Sequence, residues 1–180
     1  MDFEQLNQGF LDAFSENDPR LSQEEVQGIL QALRRQIESQ QKHFVAQVAE
    51  QNKQAGEEFL ADNKQKEDVV TLNSGLQYKI LHAGPGKGVS PTLLDTVTAH
   101  DRGSFSNGKT FDSSYERGQP AQFQLNRVIQ AWSEVLKLMK VGDKWQIFVP
   151  SYLAYGEAGF NNVIGPNTAL VFDIELIAIN

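Results

Sequence analysis

A carboxylate, an indole and a phenol occur in the C-terminal half of the sequence, at Asp112, Trp132 and Tyr155. Large apolar residues accompany them, at Phe111, Phe123, Val128, Ile129, Ile164 and Phe172. Residues of these kinds form small apolar pockets that hold a ligand through a few polar anchors. No nucleophile beside a base and no cluster of metal ligands accompanies them. The chemistry indicated is therefore binding and desolvation, with no cofactor and no metal.

Charge and turn residues divide the 180-residue chain into two parts. Residues 1–74 contain 14 acidic and 7 basic residues, whereas residues 75–180 contain 9 of each. Eleven of the 14 Gly and five of the six Pro follow residue 74, which predicts a helical arm before a turn-rich β domain. The predicted boundaries are a helical arm over 1–66, a linker over 67–74 and a domain over 75–180.

Composition also excludes several classes of function. The net charge of −7 argues against nucleic acid as a partner, because binding to the phosphate backbone needs clustered Lys and Arg. The absence of Cys excludes disulfides and thiol chemistry. No apolar run approaches the roughly 20 residues of a membrane span. Met1–Glu4 is acidic and unlike a signal peptide, although a leader removed earlier would leave the same start.

The N-terminal part is expected to be helical. A short apolar stripe is followed by a break at Asn17–Pro19, and Ser22–Glu25 has the pattern of a capping box that begins a helix lasting to about Lys66. The apolar residues of the stripe are Phe3, Leu6, Phe10, Leu11 and Phe14.

A second apolar seam runs along the long helix at Val26, Leu30, Leu33, Ile37, Phe44 and Val48. No core within 74 residues could bury this seam, so we expect it to pair with a second copy through residues 1–48. The alternative is that the helix folds back on the C-terminal domain. The last third of the helix looks too polar for that, which predicts a solvated stalk.

The C-terminal part is expected to be an α+β domain, an antiparallel sheet wrapped on one short helix. Alternating segments predict strands, Ser106–Lys109 predicts a hairpin turn of the Asn-Gly kind, and Val128–Met139 is the good helical window. The predicted strands cover 78–82, 96–100, 122–125, 144–149 and 168–179.

At these residues the sequence resembles the FKBP-type (tacrolimus-binding) peptidyl-prolyl cis/trans isomerases. The motifs are Asn107–Ser114, Val128-Ile129 before Trp132, Ala154–Gly156 and Thr168–Phe172, in family order over about 105 residues. The acidic helical arm, Ser74–Ile80 and Ile164–Asn167 are similar to the macrophage infectivity potentiator subgroup. That resemblance implies a homodimer joined through N-terminal helices.

The resemblance also implies roles for the pocket residues. Trp132 would lie beneath the proline ring, Tyr155 would donate its hydroxyl to a substrate carbonyl, and Asp112 would lie against the carbonyl that twists. The Ile129 amide would hold the peptide, and the remaining residues would be apolar walls. These walls are Phe111, Phe123, Val128, Ile129, Ile164 and Phe172.

Each residue also has a purely structural interpretation. Phe123, Phe172 and Trp132 are individually typical of a core, and Asp112 could close a turn. Arg117 could pair with Asp112 or be an ordinary surface residue. The three His residues show no metal-ligand spacing and are expected to be solvated or packed: His43, His82 and His100.

Two departures from the family pattern concern the pocket. Asp101 replaces a usual Tyr, and Ala131 replaces a usual Gly, whereas Gly165 for Pro is shared with the subgroup. A carboxylate on an apolar wall near Asp112 would raise one pKa or recruit a cation such as Arg102 or Arg117. The alternative is that Asp101 turns into solvent. We expect these departures to weaken turnover and inhibitor binding.

The sequence therefore predicts a dimeric prolyl isomerase that acts on proline-containing folding polypeptides, with tacrolimus-type compounds as possible inhibitors. The alternative is a holdase that binds chains with little turnover. A hydrolase using Asp101 and Asp112 as a carboxylate pair is disfavoured by the apolar flanks. The expected location is a bacterial periplasm or cell envelope if a leader was removed, and otherwise the cytoplasm.

Overall fold

The computed structural model describes residues 22–86 and 88–180, and the apolar stripe expected at 3–14 lies outside them. Compact packing divides the chain after Phe44, into residues 1–44 and residues 45–180. Helix α1 (Gln23–Asn63) belongs to both parts. Within the described residues, no helix has the length and apolar content needed to cross a bilayer.

The predicted capping box begins α1. The Ser22 amide and hydroxyl each donate to Glu25 Oε2 at 2.8 Å, and the Glu25 amide donates back to Ser22 Oγ at 3.3 Å. These bonds satisfy backbone donors that the first turn of a helix leaves free, and the bond from the Ser22 amide lowers the pKa of Glu25. Val26, Leu30, Ile37 and Phe44 of the apolar seam are exposed on the single chain.

Seven antiparallel strands form one sheet in residues 45–180. They are β1 (Val70–Thr71), β2 (Gln77–His82), β3 (Thr96–Phe105), β4 (Thr110–Ser113), β5 (Ala121–Gln124), β6 (Lys144–Val149) and β7 (Leu170–Ile179). The order is β1-β2-β6-β7-β3-β4, and β5 pairs with the first half of β3. The hairpin between β3 and β4 turns at Gly108, whose φ of 85° fits the predicted Asn-Gly turn.

Helix α2 (Gln130–Leu136) packs on the inner face of the sheet. It is shorter than the predicted 128–139 window, because Val128 and Ile129 have extended backbone conformations and the chain leaves the helix after Leu136. On β7 the predicted face Leu170, Phe172, Ile174 and Leu176 is buried in this core. The α+β fold expected from the sequence is confirmed.

The last turns of α1 pack on the outer face of the sheet. The Phe59 ring lies 6.1 Å from the Phe148 ring. Asn63, which is completely buried, donates from Nδ2 to Gln77 Oε1 at 2.9 Å, and Gln77 Nε2 donates to the Leu60 carbonyl at 2.8 Å. The expectation that the last third of α1 is too polar to pack is wrong, because its polar groups form hydrogen bonds with Gln77 of the sheet.

The middle of α1 fixes the loop before β7. Asn52 Nδ2 donates to the Pro166 carbonyl at 2.8 Å and to Thr168 Oγ1 at 3.2 Å. A Cβ atom on Gly165 would lie 3.0 Å from the same nitrogen, so a larger residue there would crowd the Asn52 side chain. This loop carries Ile164, one of the predicted wall residues, into the core.

Candidate active site

Aromatic rings meet around the side chain of Trp132 on α2, which is 5% exposed. Phe123 on β5 and Phe172 on β7 both present edges to it, with ring centroids 4.9 Å and 5.7 Å away. The indole Nε1 is buried and donates to no acceptor among the described residues. The three residues are therefore part of the core and also form one aromatic cluster, so a core position does not exclude a role at a candidate site.

Phe111 on β4 extends this aromatic cluster. Its ring meets Phe172 edge to face at 5.8 Å and Phe105 at 5.2 Å. Gly103 on β3 leaves the space for these rings, since a Cβ atom there would lie 2.6 Å from two Phe111 ring carbons and 3.0 Å from Phe172. Sequence reasoning missed Gly103, because nothing near it in the sequence shows that two aromatic rings converge on it.

Val128, Ile129 and Ile164 complete the apolar lining, packed against the same core. Ile129 immediately precedes α2, where its carbonyl accepts bonds from the amides of Trp132 (3.0 Å) and Ser133 (3.2 Å). The amide of Ile129 itself donates to no backbone acceptor in the part of the chain that the structure describes. A free donor at the start of a helix can bind a carbonyl oxygen of a ligand.

Tyr155 lies between the 3-10 turns Ser151–Leu153 and Gly156–Ala158. Its ring stacks on Phe160 with centroids 4.8 Å apart, which orients the side chain. Burial raises the pKa of Tyr155, and the charge of Asp112 raises it further. The phenol is therefore a neutral hydrogen-bond donor near Asp112.

Two carboxylates and one guanidinium stand at one edge of the site. Arg117 Nη1 bonds Asp112 Oδ1, which confirms the predicted pair, and Arg117 Nη2 lies 3.7 Å from Asp101 Oδ1. Asp101 is 4% exposed and follows the inward-facing Val97 and Ala99 on β3. The alternative that Asp101 turns into solvent is therefore wrong.

The environment of Asp101 disfavours its charge. Burial raises its pKa and the neighbouring Asp112 raises it further, while Arg117, Ser114 and His100 act in the opposite direction. Asp101 Oδ1 is buried and accepts no hydrogen bond among the described residues. An ionised carboxylate in this setting costs free energy that the fold does not recover locally.

Ser114 was not anticipated as part of this arrangement. Its side chain is buried, and its Oγ accepts a 2.7 Å bond from the Asp101 amide, while its own amide donates to the Asp101 carbonyl at 2.9 Å. These two bonds hold the backbone at Asp101 in place. Ala131, the other departure from the family pattern, is completely buried in the core.

A separate groove of about 380 Å³ lies between α1 and the segment that follows β6. Glu50, Lys53, Glu57 and Tyr152 are among its lining residues, and it shares none with the aromatic cluster. Among the described residues, no three His, Asp or Glu side chains are placed to hold a metal ion. The aromatic cluster remains the candidate active site.

Two family models match the chain. The model described as FKBP-type peptidyl-prolyl cis-trans isomerase matches residues 87–177, and that of the domain amino terminal to FKBP-type peptidyl-prolyl isomerase matches residues 1–80. The peptidyl-prolyl cis-trans isomerase Mip of Coxiella burnetii is 45% identical over 179 residues, which are 99% of this chain and 77% of the relative.

Two further relatives agree with these matches. The outer membrane protein MIP of Legionella longbeachae is 40% identical over 97% of this chain and 74% of its own length. The crystal structure of FkpA from Escherichia coli superposes with a TM-score of 0.86 at 38% identity, covering 100% of this chain and 83% of that chain.

The buried carboxylate gives a prediction for stability. We expect Asp101→Asn to raise the melting temperature by about 2–4 °C at neutral pH, because the folded chain no longer holds an unsatisfied charge. The pKa of Asp101 is higher in the folded chain than in the unfolded chain. When the pH falls through the folded-state pKa, Asp101 of the wild type becomes protonated, and the stability that the Asn variant gains over the wild type shrinks. Thermal unfolding followed by circular dichroism at a series of pH values measures it.

Asp173→Asn is the matched control for this experiment. Asp173 is also buried and faces Arg102 across β3 and β7, but its Oδ2 lies 2.6 Å from the Arg102 guanidinium. Removing that charge breaks an ion pair, so this variant should melt lower than the wild type. A gain for Asp101→Asn that stays constant or grows on acidification would contradict the prediction.

Proposed function

The chain belongs to the FKBP-type peptidyl-prolyl cis/trans isomerases, and we propose that it accelerates isomerisation of X-Pro bonds in folding polypeptides. The observation that carries the proposal is the aromatic cluster, in which the edges of Phe123 and Phe172 surround a buried Trp132 ring. A proline ring is apolar and compact, so it can replace water against such a surface. The chemistry needs no nucleophile, which agrees with the residues at the site.

The barrier to rotation about an X-Pro bond is about 18–20 kcal/mol, because the planar amide is stabilised by resonance. The planar amide is more dipolar than the twisted one, so transfer from water to an apolar pocket destabilises the planar ground state relative to the twisted state. Each 1.4 kcal/mol of this difference gives about a tenfold increase in rate. Trp132 and the apolar walls supply that environment in the proposed mechanism.

The polar groups hold the substrate while the bond rotates. The free amide of Ile129 and the hydroxyl of Tyr155 are donors suited to substrate carbonyls. In this proposal Asp112 interacts with the carbonyl of the rotating amide, and its ion pair with Arg117 holds the carboxylate in position. Binding the twisted form better than either planar form is sufficient for catalysis.

Catalysis should depend on Trp132 and not on the other tryptophan. We expect Trp132→Leu to lower kcat/KM for a proline peptide by about tenfold or more, because the indole surface beneath the proline ring is lost. Trp145→Leu is the matched control, since Trp145 is equally buried but stacks on Tyr78 at 4.5 Å, away from the cluster. Proline-limited refolding of a slow-folding protein measures the same quantity on a natural type of substrate.

Equal losses in both tryptophan variants would show that the effect is general destabilisation, and no acceleration by the wild type would refute catalysis. Circular dichroism of each variant verifies that it is folded. The holdase alternative remains distinguishable, because it predicts suppression of aggregation without faster refolding. The observation favouring that alternative is the exposed apolar seam on α1, which offers apolar surface outside the pocket.

We propose that Asp101 and Ala131 reduce the isomerase activity on uncharged proline peptides. Asp101 places a costly carboxylate at the apolar site, and Ala131 adds a methyl group to the core immediately before Trp132. We expect Asp101→Tyr with Ala131→Gly to raise kcat/KM on an uncharged proline peptide about tenfold and to tighten binding of a tacrolimus-type inhibitor. The two single variants separate the contributions, and unchanged kinetics in the double variant would refute this part of the proposal.

The proposal includes a homodimer formed through residues 1–48, which are part of the helical arm and stalk assigned to residues 1–66. The linker at 67–74 and the catalytic domain at 75–180 complete the assignment. The exposed side chains of the seam support it, with Phe44 67% exposed and Ile37 52% exposed on the single chain. Exposed large apolar residues in a row on one helix face usually contact a partner.

Phe44→Glu should therefore shift the protein from dimer to monomer in sedimentation velocity, because a charge would have to be buried in the interface. Ser39→Glu is the control of equal charge, since at about 100° per residue it projects from the face of α1 opposite the seam. A dimer that survives Phe44→Glu at low micromolar concentration, or dissociates equally with Ser39→Glu, would exclude this interface. The similarity to an outer membrane protein supports a periplasmic or envelope location.

A further inference from the structure

Asp101 has an acceptor oxygen that receives no hydrogen bond from the part of the chain that the structure describes. Its side chain is 6% exposed, and its Oδ1 is buried without a hydrogen-bond partner among the described residues. Buried carboxylates in folded proteins are nearly always paired or hydrogen-bonded. This acceptor is buried, so a donor on the substrate reaches it only when the side chains at this edge of the site move apart to admit the substrate.

The neighbouring cations do not hydrogen-bond this oxygen. Arg117 bonds Asp112 through Nη1, and its Nη2 is 3.7 Å from Asp101 Oδ1, which is beyond a hydrogen bond. Arg102, the next residue on β3, points to the outer face and donates to Asp173 at 2.6 Å. The hydroxyl and amide of Ser114 bond the backbone of Asp101, so that backbone is held fixed.

Two carboxylates therefore share one guanidinium, which leaves this edge of the site with a net negative charge. We infer, on the basis of the proposed function, that the pocket prefers substrates with a lysine or arginine next to the proline. Asp101 is the residue that determines this specificity. The cationic group donates to Asp101 Oδ1, while its alkyl stem lies along the apolar wall.

The chemistry of the surroundings favours a cationic side chain over other donors. Lysine and arginine bury their methylene stems against apolar surface while the charged group remains with a polar partner, and Phe111 together with Phe105 offers such a surface. A neutral donor would satisfy the oxygen but leave the charge uncompensated. An acidic residue beside the proline would meet two carboxylates and should be rejected.

The test compares kcat/KM for the tetrapeptides Ala-X-Pro-Phe, in which X is lysine, norleucine or glutamate. Norleucine matches the length of lysine without its charge. At about pH 7.5 and low salt we expect the lysine peptide to exceed the norleucine peptide about tenfold, the size of one charge-assisted hydrogen bond, and the glutamate peptide to be the poorest. A second set, with the same residues following the proline, determines which side of the proline is recognised.

Asp101→Asn should reduce the lysine-to-norleucine ratio to about one. Glu116→Gln is the control for general electrostatic attraction. It removes the same charge from an exposed residue of the turn that carries Arg117, and it should leave the ratio intact.

Three outcomes would overturn the inference. They are no lysine preference at either position in the wild type, a preference that survives Asp101→Asn, and an equal loss with Glu116→Gln. Catalysis of the norleucine peptide without any lysine preference would leave the proposed function standing. If no peptide is isomerised, the proposed function fails. The lysine preference is then tested on the peptide dissociation constants, measured by calorimetry, with the same three criteria.

Discussion

The edge-to-face contact between Trp132 and Phe172 sets the distance between α2 and the sheet, and the rest of the site depends on that distance. Phe172 lies opposite Gly103 in the register of β7 and β3, and Gly103 lies opposite Asp112 in the register of β3 and β4. The missing side chain at Gly103 lets the Phe111 ring reach Phe172. Because protein interiors are densely packed, a methyl group at Gly103 would displace the Phe111 and Phe172 rings, which pack in the core and belong to the aromatic cluster.

The same register places a carboxylate where packing alone would favour an apolar side chain. Asp101 occupies the inner face of β3, opposite Ile174 of β7, so strand alternation directs it inward. Turning it outward would require a one-residue slip of β3, which would move Val97, Ala99 and Gly103 to the wrong face as well. The cost of one buried charge is smaller than the cost of that slip, so the fold retains the charge and the site acquires an unsatisfied acceptor.

The sequence predicts most of what depends on local chemistry. The capping box at Ser22, the Asn-Gly hairpin and the buried face of β7 follow from neighbouring residues and from alternation, and the structure has all three. The aromatic residues of this cluster could also be named in advance, because their types and order match a known family. Their mutual contacts then confirm that Phe111, Phe123, Trp132 and Phe172 form one cluster.

What the sequence does not predict depends on partners that are distant along the chain. The polar end of α1 packs because Asn63 meets Gln77 and the Leu60 carbonyl meets the same Gln77 side chain, and no helical pattern shows such a match. Asn52 holds a loop in which Asn167 has a φ of 54°, a conformation that non-glycine residues adopt at some cost. Since Ile164 enters the core from this loop, residues 45–63 of α1 act as a structural layer of the catalytic unit and not as a spacer.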